Sequence, residues 1–451
     1  MLKTDLIKGN ILSSLVIFAI PLIISNVFQQ LYNTADIMIV GHYLGDTSLA
    51  AIGASTVIFE LLVGFTLGFG NGLSIVVARN FGSGNKEAIK KSVALSLIIG
   101  LIITIIITVS SRFFLYPLLK VLKTPEAILN ESYVYISTIT LFIVVMFGYN
   151  LCAGLLRAIG NSFAPLIFLV ISSLLNIVLA IFFIVKMKMG INGAAIATAI
   201  AQGISVILCL FYIKNKAKIL IPSKRHFEND KPLYKELISQ GLSMALMSSI
   251  VSLGSVVLQS SINNLGFLTI AGHSAARKLF GLSIIPFFAL GTALSTFVSQ
   301  NRGAEKGERI VKAVKYANII GITWSIFVFI MLMFTARFFI HIISGSEESV
   351  ILNNGSRYLK LSAPFYVVLA VLINLRFALQ GLGEKIVPLI SSFIEFIGKI
   401  LFVIFIIPHF DYTGVIFCEP IIWCFMTIQL VYSFYKNPYI LKFRVKKLSV
   451  I

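Results

Sequence analysis

The chain has 451 residues, of which 58% are hydrophobic and 12% charged, and its mean hydropathy is +0.95. A soluble domain carries about 25% charged residues, so this composition excludes a soluble globular protein and points to an all-α polytopic membrane protein. The net charge of +19 would suggest nucleic acid in a soluble chain; here no nucleic-acid partner is expected, and the excess should report basic loops at the cytoplasmic face of a bilayer.

The chain opens on "MLKTDLIKGNILSSLVIFAIPLII", where Lys3 and Lys8 precede an apolar run as in a signal peptide. No small-x-small cleavage site comes before Asn26, and the apolar character continues past residue 40, so this is read as an uncleaved first helix. Taking roughly 20 apolar residues per span, twelve spans are predicted near 12–36, 48–74, 93–111, 132–155, 164–185, 192–213, 236–262, 269–298, 316–336, 361–381, 386–407 and 413–434. With the N-terminus inside, segments 79–92, 214–235, 299–315 and the tail hold most of the 37 Lys and Arg. The positive-inside rule then puts both termini in the cytoplasm, below a plasma (inner) membrane. Cys152, Cys209, Cys418 and Cys424 all fall in apolar segments, with neither a disulfide framework nor a metal-ligand spacing.

Within the first span, Asn26, Gln29, Asn33 and Asp36 recur on one helical face, flanked by Gln30 and Tyr32. Such a stripe must turn away from lipid, because hydrocarbon satisfies neither donors nor acceptors. Asn150 in the fourth span, Asn176 in the fifth, and Thr198 with Gln202 in the sixth offer groups that could surround the carboxylate. Gln29, Gln30, Gln202 and the lone acid Glu60 of the second span are candidates for a substrate-facing wall. The bland alternative for Asp36 is a cap at the outer end of a tilted helix, since it lies about 36 Å beyond Leu12 at 1.5 Å per residue.

Residues 70–93 align without a gap on 291–314, with ten of 24 positions identical, among them Gly70/Gly291, Ser74/Ser295, Asn80/Asn301 and Gly82/Gly303. "LRAIGNSFAPLI" from Leu156 likewise matches "LQGLGEKIVPLI" from Leu379. The chain therefore reads as two pseudo-symmetric six-helix bundles: an N-lobe (1–213), a basic cytoplasmic linker (214–235), a C-lobe (236–435) and a basic tail (436–451). Parallel repeats of this kind point to a transporter whose halves rock about a central cleft. The repeat places Val257 opposite Asp36, so the fold itself does not require the carboxylate.

In the eleventh span Glu395 and Lys399 are four residues apart and able to pair within the helix, with Arg376 and Glu419 as further ionisable candidates on the tenth and twelfth. Arg277 and Lys278 in the eighth span are adequately explained by snorkelling to an interface. Nothing in the repeat suggests that this cluster reproduces the Asp36 site. The 37 Phe, 15 Tyr and 10 Met mostly pack or face lipid, and some would line a cleft for flat cations.

No G-x-x-x-x-G-K-[ST] loop, no TVGYG filter, and neither H-E-x-x-H nor G-x-S-x-G occurs in the sequence, so neither ATP-driven pumping, nor a gated channel, nor an enzyme is expected. "AIPLIISN", "LYNTADIMIVG", "LRAIGNSFAPL", "LLNIVL", "GINGAAIATAIAQ" and "ALGTALSTFVSQNRGA", in this order over about residues 5–435, resemble the multidrug and toxic compound extrusion (MATE) transporters. The resemblance implies two lobes around a V-shaped cleft and export of cationic or amphiphilic organic compounds against an H+ or Na+ gradient, with no cofactor and as a monomer. It places the family's first-helix acid on Asp36, with Tyr32 one turn before it, and the accompanying polar residues on Asn150, Asn176 and Thr198. A second acid common in relatives falls on Ala180. A Na+ site near Asp36 would then lean on one carboxylate with Asn and Thr oxygens, which tilts the expectation towards H+. Burial disfavours the charged form of a carboxyl and lets it load and release a proton near neutral pH. The alternative function is a lipid-linked precursor flippase of the same broad superfamily.

Overall fold

The computed structural model describes residues 4–448; Lys3 and the last three residues of the predicted tail lie outside them. The first half runs α1 (Ile11–Leu44), α2 (Asp46–Gly82), α3 (Lys86–Val121), α4 (Glu126–Leu141), α5 (Ile143–Ala158), α6 (Phe163–Ile181), a π turn (Phe182–Lys186) and α7 (Gly190–Lys216). The second half runs α8 (Lys231–Asn263), α9 (Phe267–Gly303), α10 (Gly307–Ser344), α11 (Ser349–Ser362), α12 (Tyr366–Gly381), α13 (Ile386–Leu401), a π turn (Phe402–Ile406), α14 (Ile407–Tyr435) and α15 (Pro438–Leu448). Among the described residues every regular element is helical, the only open-chain solution for backbone in hydrocarbon.

Among the described residues ten helices are long and apolar enough to cross a membrane, or eleven when α4 and α5, bent by 48° at their junction, count as one span. The stretch Ile386–Tyr435 passes this test as a single helix of 50 residues. At 1.5 Å per residue that is about 75 Å, more than twice the roughly 30 Å of a bilayer core. The chain turns within it at Asp411 (φ 45, ψ −131), between the predicted spans 386–407 and 413–434.

By internal packing the chain divides into two compact units. One contains Ile20–Ser248; the other contains the chain from Ser249 on together with Leu6–Ala19. In the first unit, α2 and α5 supply the centre of a core in which Phe69, Leu73, Phe147, Leu151 and Leu155 are buried. There α2 meets the start of α8 backbone to backbone. A Cβ on Gly68 would lie 2.7 Å from the Met244 carbonyl oxygen, and one on Gly72 would lie 2.6 Å from both the Gln240 carbonyl oxygen and Gly241 Cα. The basic linker folds down onto this unit through Lys91 with Asp230 at 3.0 Å, Arg225 with Glu87 at 2.8 Å and a hydrogen bond from His226 to Glu87 at 2.9 Å, and Arg79 pairs with Glu236 near the start of α8. Lys91 and the Leu233 N–H hold the Asp230 carboxyl below the usual carboxylate range, and the same bond to Leu233 caps the start of α8.

The second unit uses the repeated asparagine to hold the chain's N-terminal segment. Asn301 donates to the Leu6 carbonyl at 3.0 Å, Lys306 to Ile7 at 3.1 Å, and Arg309 to Gly9 at 2.7 Å. Its repeat partner Asn80 donates instead to Ser92 Oγ at 2.7 Å, joining α2 to α3.

The glycine contacts yield a packing test. Gly72→Val should lower the thermal unfolding midpoint of the purified protein, by the about 1–3 kcal/mol typical of overpacking. Gly53→Ala, on the same helix with nothing within 4 Å of a new Cβ, should leave it unchanged. A neutral Gly72→Val would mean that α2 and α8 are not in contact there.

Candidate functional site

Asp36 lies eight residues before the end of α1, about 12 Å inside it, and so does not cap the helix. Its partners come from α6 and α7. Asn176, 2% exposed, is oriented so that its amide nitrogen donates to Asp36 Oδ1 at 2.7 Å while its oxygen accepts from Thr198 N at 3.2 Å and Thr198 Oγ1 at 3.1 Å. The Thr198 hydroxyl also approaches the carboxylate and lies 3.1 Å from the Ala194 carbonyl. One hydroxyl proton thus has three acceptors within reach. No basic side chain pairs with Asp36 among the described residues.

One turn earlier on α1, the Tyr32 hydroxyl is approached by Gln29 and Gln202. Tyr135 of α4 completes the group, within electrostatic reach of both Asp36 and Tyr32. A cavity about the size of one water is lined by Tyr32, Ser172, Ser173, Asn176, Thr198 and Gln202, and Gln202 Oε1 is buried without a partner. Thr198 and Gln202 offer oxygens to this cavity, and Asp36, bonded to Asn176 beside it, is the charged group of the site. Among the described residues no three His, Cys, Asp or Glu are grouped to hold a metal ion.

The remaining sequence candidates stand apart. Asn33 is half-buried and does not bond to Asp36; Asn150, on α5, lies against Gly70 of α2, where a Cβ would be 3.7 Å from its own. Gln30 and Glu60 are exposed and Glu60 has no ion pair. Since a charged side chain in hydrocarbon is costly, the exposed face of Glu60 must meet water. Ala180, at the position of the missing second acid, is buried among Ile39, Val40 and Ile184.

A model of the MatE family matches residues 21–182 and 243–405, one segment in each half. The chain belongs to the MatE family. It is 28% identical over 394 residues, 87% of each chain, to a probable multidrug resistance protein, YpnP, of Bacillus subtilis (strain 168). It is 25% identical to a second such protein of that strain, YoeA, over 95% of this chain and 94% of that one. A solved structure described as the outward-facing conformation of a multidrug resistance MATE family transporter of the MOP superfamily shares the fold, with a TM-score of 0.88 at 23% identity over 96% of this chain and 97% of that one.

The second half of this MatE chain carries a different arrangement. Arg277 of α9 donates to Glu419 of α14 at 2.6 Å; Lys399 of α13 reaches Glu419 at 3.1 Å and Glu395 at 3.0 Å; Arg376 of α12 stands 3.8 Å from Glu395. Lys399 is 1% exposed, its stem against Gly254 of α8, where a Cβ would be 3.1 Å from Lys399 Cδ. Arg277 therefore does not snorkel: Glu419, and the Tyr358 hydroxyl at 3.1 Å, hold its guanidinium inside the bundle.

The repeat register relates this chain of charges to the Asp36 site, contrary to the reading from sequence. Carrying the Pro165/Pro388 match eleven residues on puts Asn176 on Lys399. Gly193 and Gly414 each press against the chain shortly before them, at Phe183 and Ile407, and five residues further Thr198 falls on Glu419. Tyr135 and Tyr358 hold the same place on α4 and α11. Two bonded positions are thus duplicated: Asn176 with Thr198 in one half, Lys399 with Glu419 in the other.

Removing Lys399 would take a cation from two buried carboxylates and leave Glu395 with none at hydrogen-bond distance. Lys399→Met should therefore destabilise the protein by about 3–5 kcal/mol, seen as a lower thermal unfolding midpoint in detergent, whereas Asn176→Leu at the duplicated position removes only a neutral donor and should cost about 1–3 kcal/mol. Equal losses for the two would contradict this ordering.

Proposed function

We propose that the chain is a secondary active multidrug efflux antiporter, exporting cationic or amphiphilic organic compounds in exchange for H+ by alternating access, with Asp36 as the coupling residue. The family and the multidrug resistance relatives support the substrate class. The single observation that carries the coupling role is that Asp36 is bonded only by neutral donors, so no fixed counter-charge holds it ionised. Glu395 and Glu419, by contrast, are each held by a cation.

The Asn176 amide offers a two-state element. With Asp36 ionised, the amide nitrogen donates to the carboxylate and the amide oxygen accepts from Thr198. With Asp36 protonated, the acid becomes the donor, and the amide turned over accepts from it while its nitrogen donates to Thr198 Oγ1, which donates to Ala194. A proton arriving from outside thus reverses the Asp36–Asn176 and Asn176–Thr198 bonds and turns the Thr198 hydroxyl onto the Ala194 carbonyl. The change is felt on α1, whose Pro21 removes one backbone bond and allows a bend. Substrate and proton need only favour opposite states of this element.

Na+ is the alternative coupling ion, taken by the oxygens of Asp36, Thr198 and Gln202. A single carboxylate offsets little of the cost of stripping water from Na+, which favours the proton. Both termini are placed in the cytoplasm on the strength of the basic segments. Cysteines introduced at Lys8 and Lys436 should then react with a membrane-impermeant thiol reagent only in inside-out vesicles; labelling of either from the outside would reverse the orientation.

The coupling is tested by efflux of a fluorescent organic cation from proteoliposomes under a pH or a Na+ gradient imposed separately. Flux should follow the pH gradient, with Asp36→Asn reducing it at least about a hundredfold, the scale of a lost proton-transfer group. Flux unchanged in Asp36→Asn rejects the mechanism. Flux under Na+ alone assigns the site to that ion, and no flux under any gradient brings forward the lipid-linked precursor flippase.

A further inference from the structure

The ion chain of the second half contains three cations, Arg277, Lys399 and Arg376, and two carboxylates, Glu419 and Glu395. Its carboxylate oxygens are all faced by a cation, three of the four at hydrogen-bond distance. Glu419 Oε2 takes Arg277 and Oε1 takes Lys399; Glu395 Oε1 takes Lys399 and its Oε2 stands nearest Arg376. Its donors are not all taken. Arg376 Nη2, on a side chain 90% buried, has no hydrogen-bond partner, its Nε alone being bonded, to Ser391 Oγ at 3.0 Å. Arg277 spends only Nη1, on Tyr358 and Glu419. His273 beside it meets Tyr412 and Tyr358 and contributes no carboxylate. The cluster holds an excess of one positive charge and of N–H donors in a setting where unbalanced charge is costly. One anion would balance both.

Arg277 also has an approach. Its side chain is 35% exposed, and the exposed part of a charged side chain on a membrane-spanning helix must meet water rather than lipid. It lies 4.7 Å over the Phe280 ring, which stacks on Trp423 at 6.0 Å and 10° and leans on Tyr366 at 5.5 Å. These rings are themselves buried, Phe280 and Trp423 each 5% exposed, so they back the guanidinium from within the bundle.

We propose that the free face of Arg277, backed by the buried Phe280 and Trp423 rings, binds the carboxylate or phosphate group of an amphiphile. Lys399, Glu395 and Arg376 act behind it as positioning residues that hold Glu419 and the surplus charge in place. The Asp36 half and the Arg277 half would then serve opposite charges, which extends the substrate class to anionic and zwitterionic compounds. This rests on the transporter reading only for what becomes of the bound compound. A phospholipid headgroup presents the same anion as a soluble phosphate.

The test is equilibrium dialysis of radiolabelled 2-naphthoate, and of the ring-matched cation 2-naphthylmethylamine, against the full chain in phosphatidylcholine nanodiscs with no ion gradient. Naphthoate should bind more tightly than the amine. Arg277→Gln should weaken it about tenfold or more, the scale of one charged hydrogen bond. Glu419→Gln, which removes the competing carboxylate, should tighten it, a gain that an unfolded variant cannot produce. Phosphatidylglycerol added to the discs should weaken naphthoate binding if a lipid headgroup is the occupant and leave it unchanged if the anion is soluble. Equal binding of the two ring compounds, indifference to Arg277→Gln, or no tightening in Glu419→Gln overturns the proposal. Because no gradient is applied, that failure leaves efflux coupled to Asp36 standing, and loss of efflux in Asp36→Asn leaves the anion site standing.

Discussion

A polar group inside hydrocarbon has no solvent to fall back on, so it must be satisfied by the protein or face water, and most of what distinguishes this chain follows from how it does so. The backbone solves the problem within each helix. Small hydroxyls solve it one turn back, as Ser55 does with Ala51, Thr56 with Ile52, Ser283 with Leu279 and Ser325 with Gly321. Larger polar groups need a neighbouring helix, and glycines such as Gly72 and Gly254 let neighbours come close enough. Only after these demands are met does a functional group stand out, as one whose satisfaction is conditional.

The two halves answer the same demand at the same positions with different chemistry. Around Asp36 the donors are neutral, so the bonding pattern depends on whether the carboxyl holds a proton. Around Glu419 the partners are Arg277 and Lys399, which cancel its charge whatever the surroundings do. Desolvating an ion costs several kcal/mol, so the second arrangement is expensive to disturb and is suited to holding a field in place. The first can switch. Substituting Lys399 for Asn176 and Glu419 for Thr198 across the repeat is what separates a switch from a fixture.

Much of the fold was legible in the sequence, because lipid imposes long apolar runs and duplication gives two chances to see each one. Legibility ended where charge or geometry cut across hydropathy. The first span was read as ending at Asp36, whereas α1 runs to Leu44, since the carboxylate is bonded within the bundle. The break between α4 and α5 at Phe142 carries no Gly or Pro to announce it. At the site, Asp36, Asn176 and Thr198 were found by period and depth. Tyr135 was not, being one of 15 tyrosines, although its repeat partner Tyr358 would have pointed to it. Arg277 was misread because its partner Glu419 lies 142 residues on, and no local spacing records a pairing between distant helices.

The division of the chain into units has a consequence for the order in which the chain can close. Each unit is completed by the opening segment of the other half: Leu6–Ala19 belongs with the later sequence, and the start of α8, up to Ser248, with the earlier. During synthesis the early unit therefore waits for residue 248 before it can close, and the later one needs a segment made long before it.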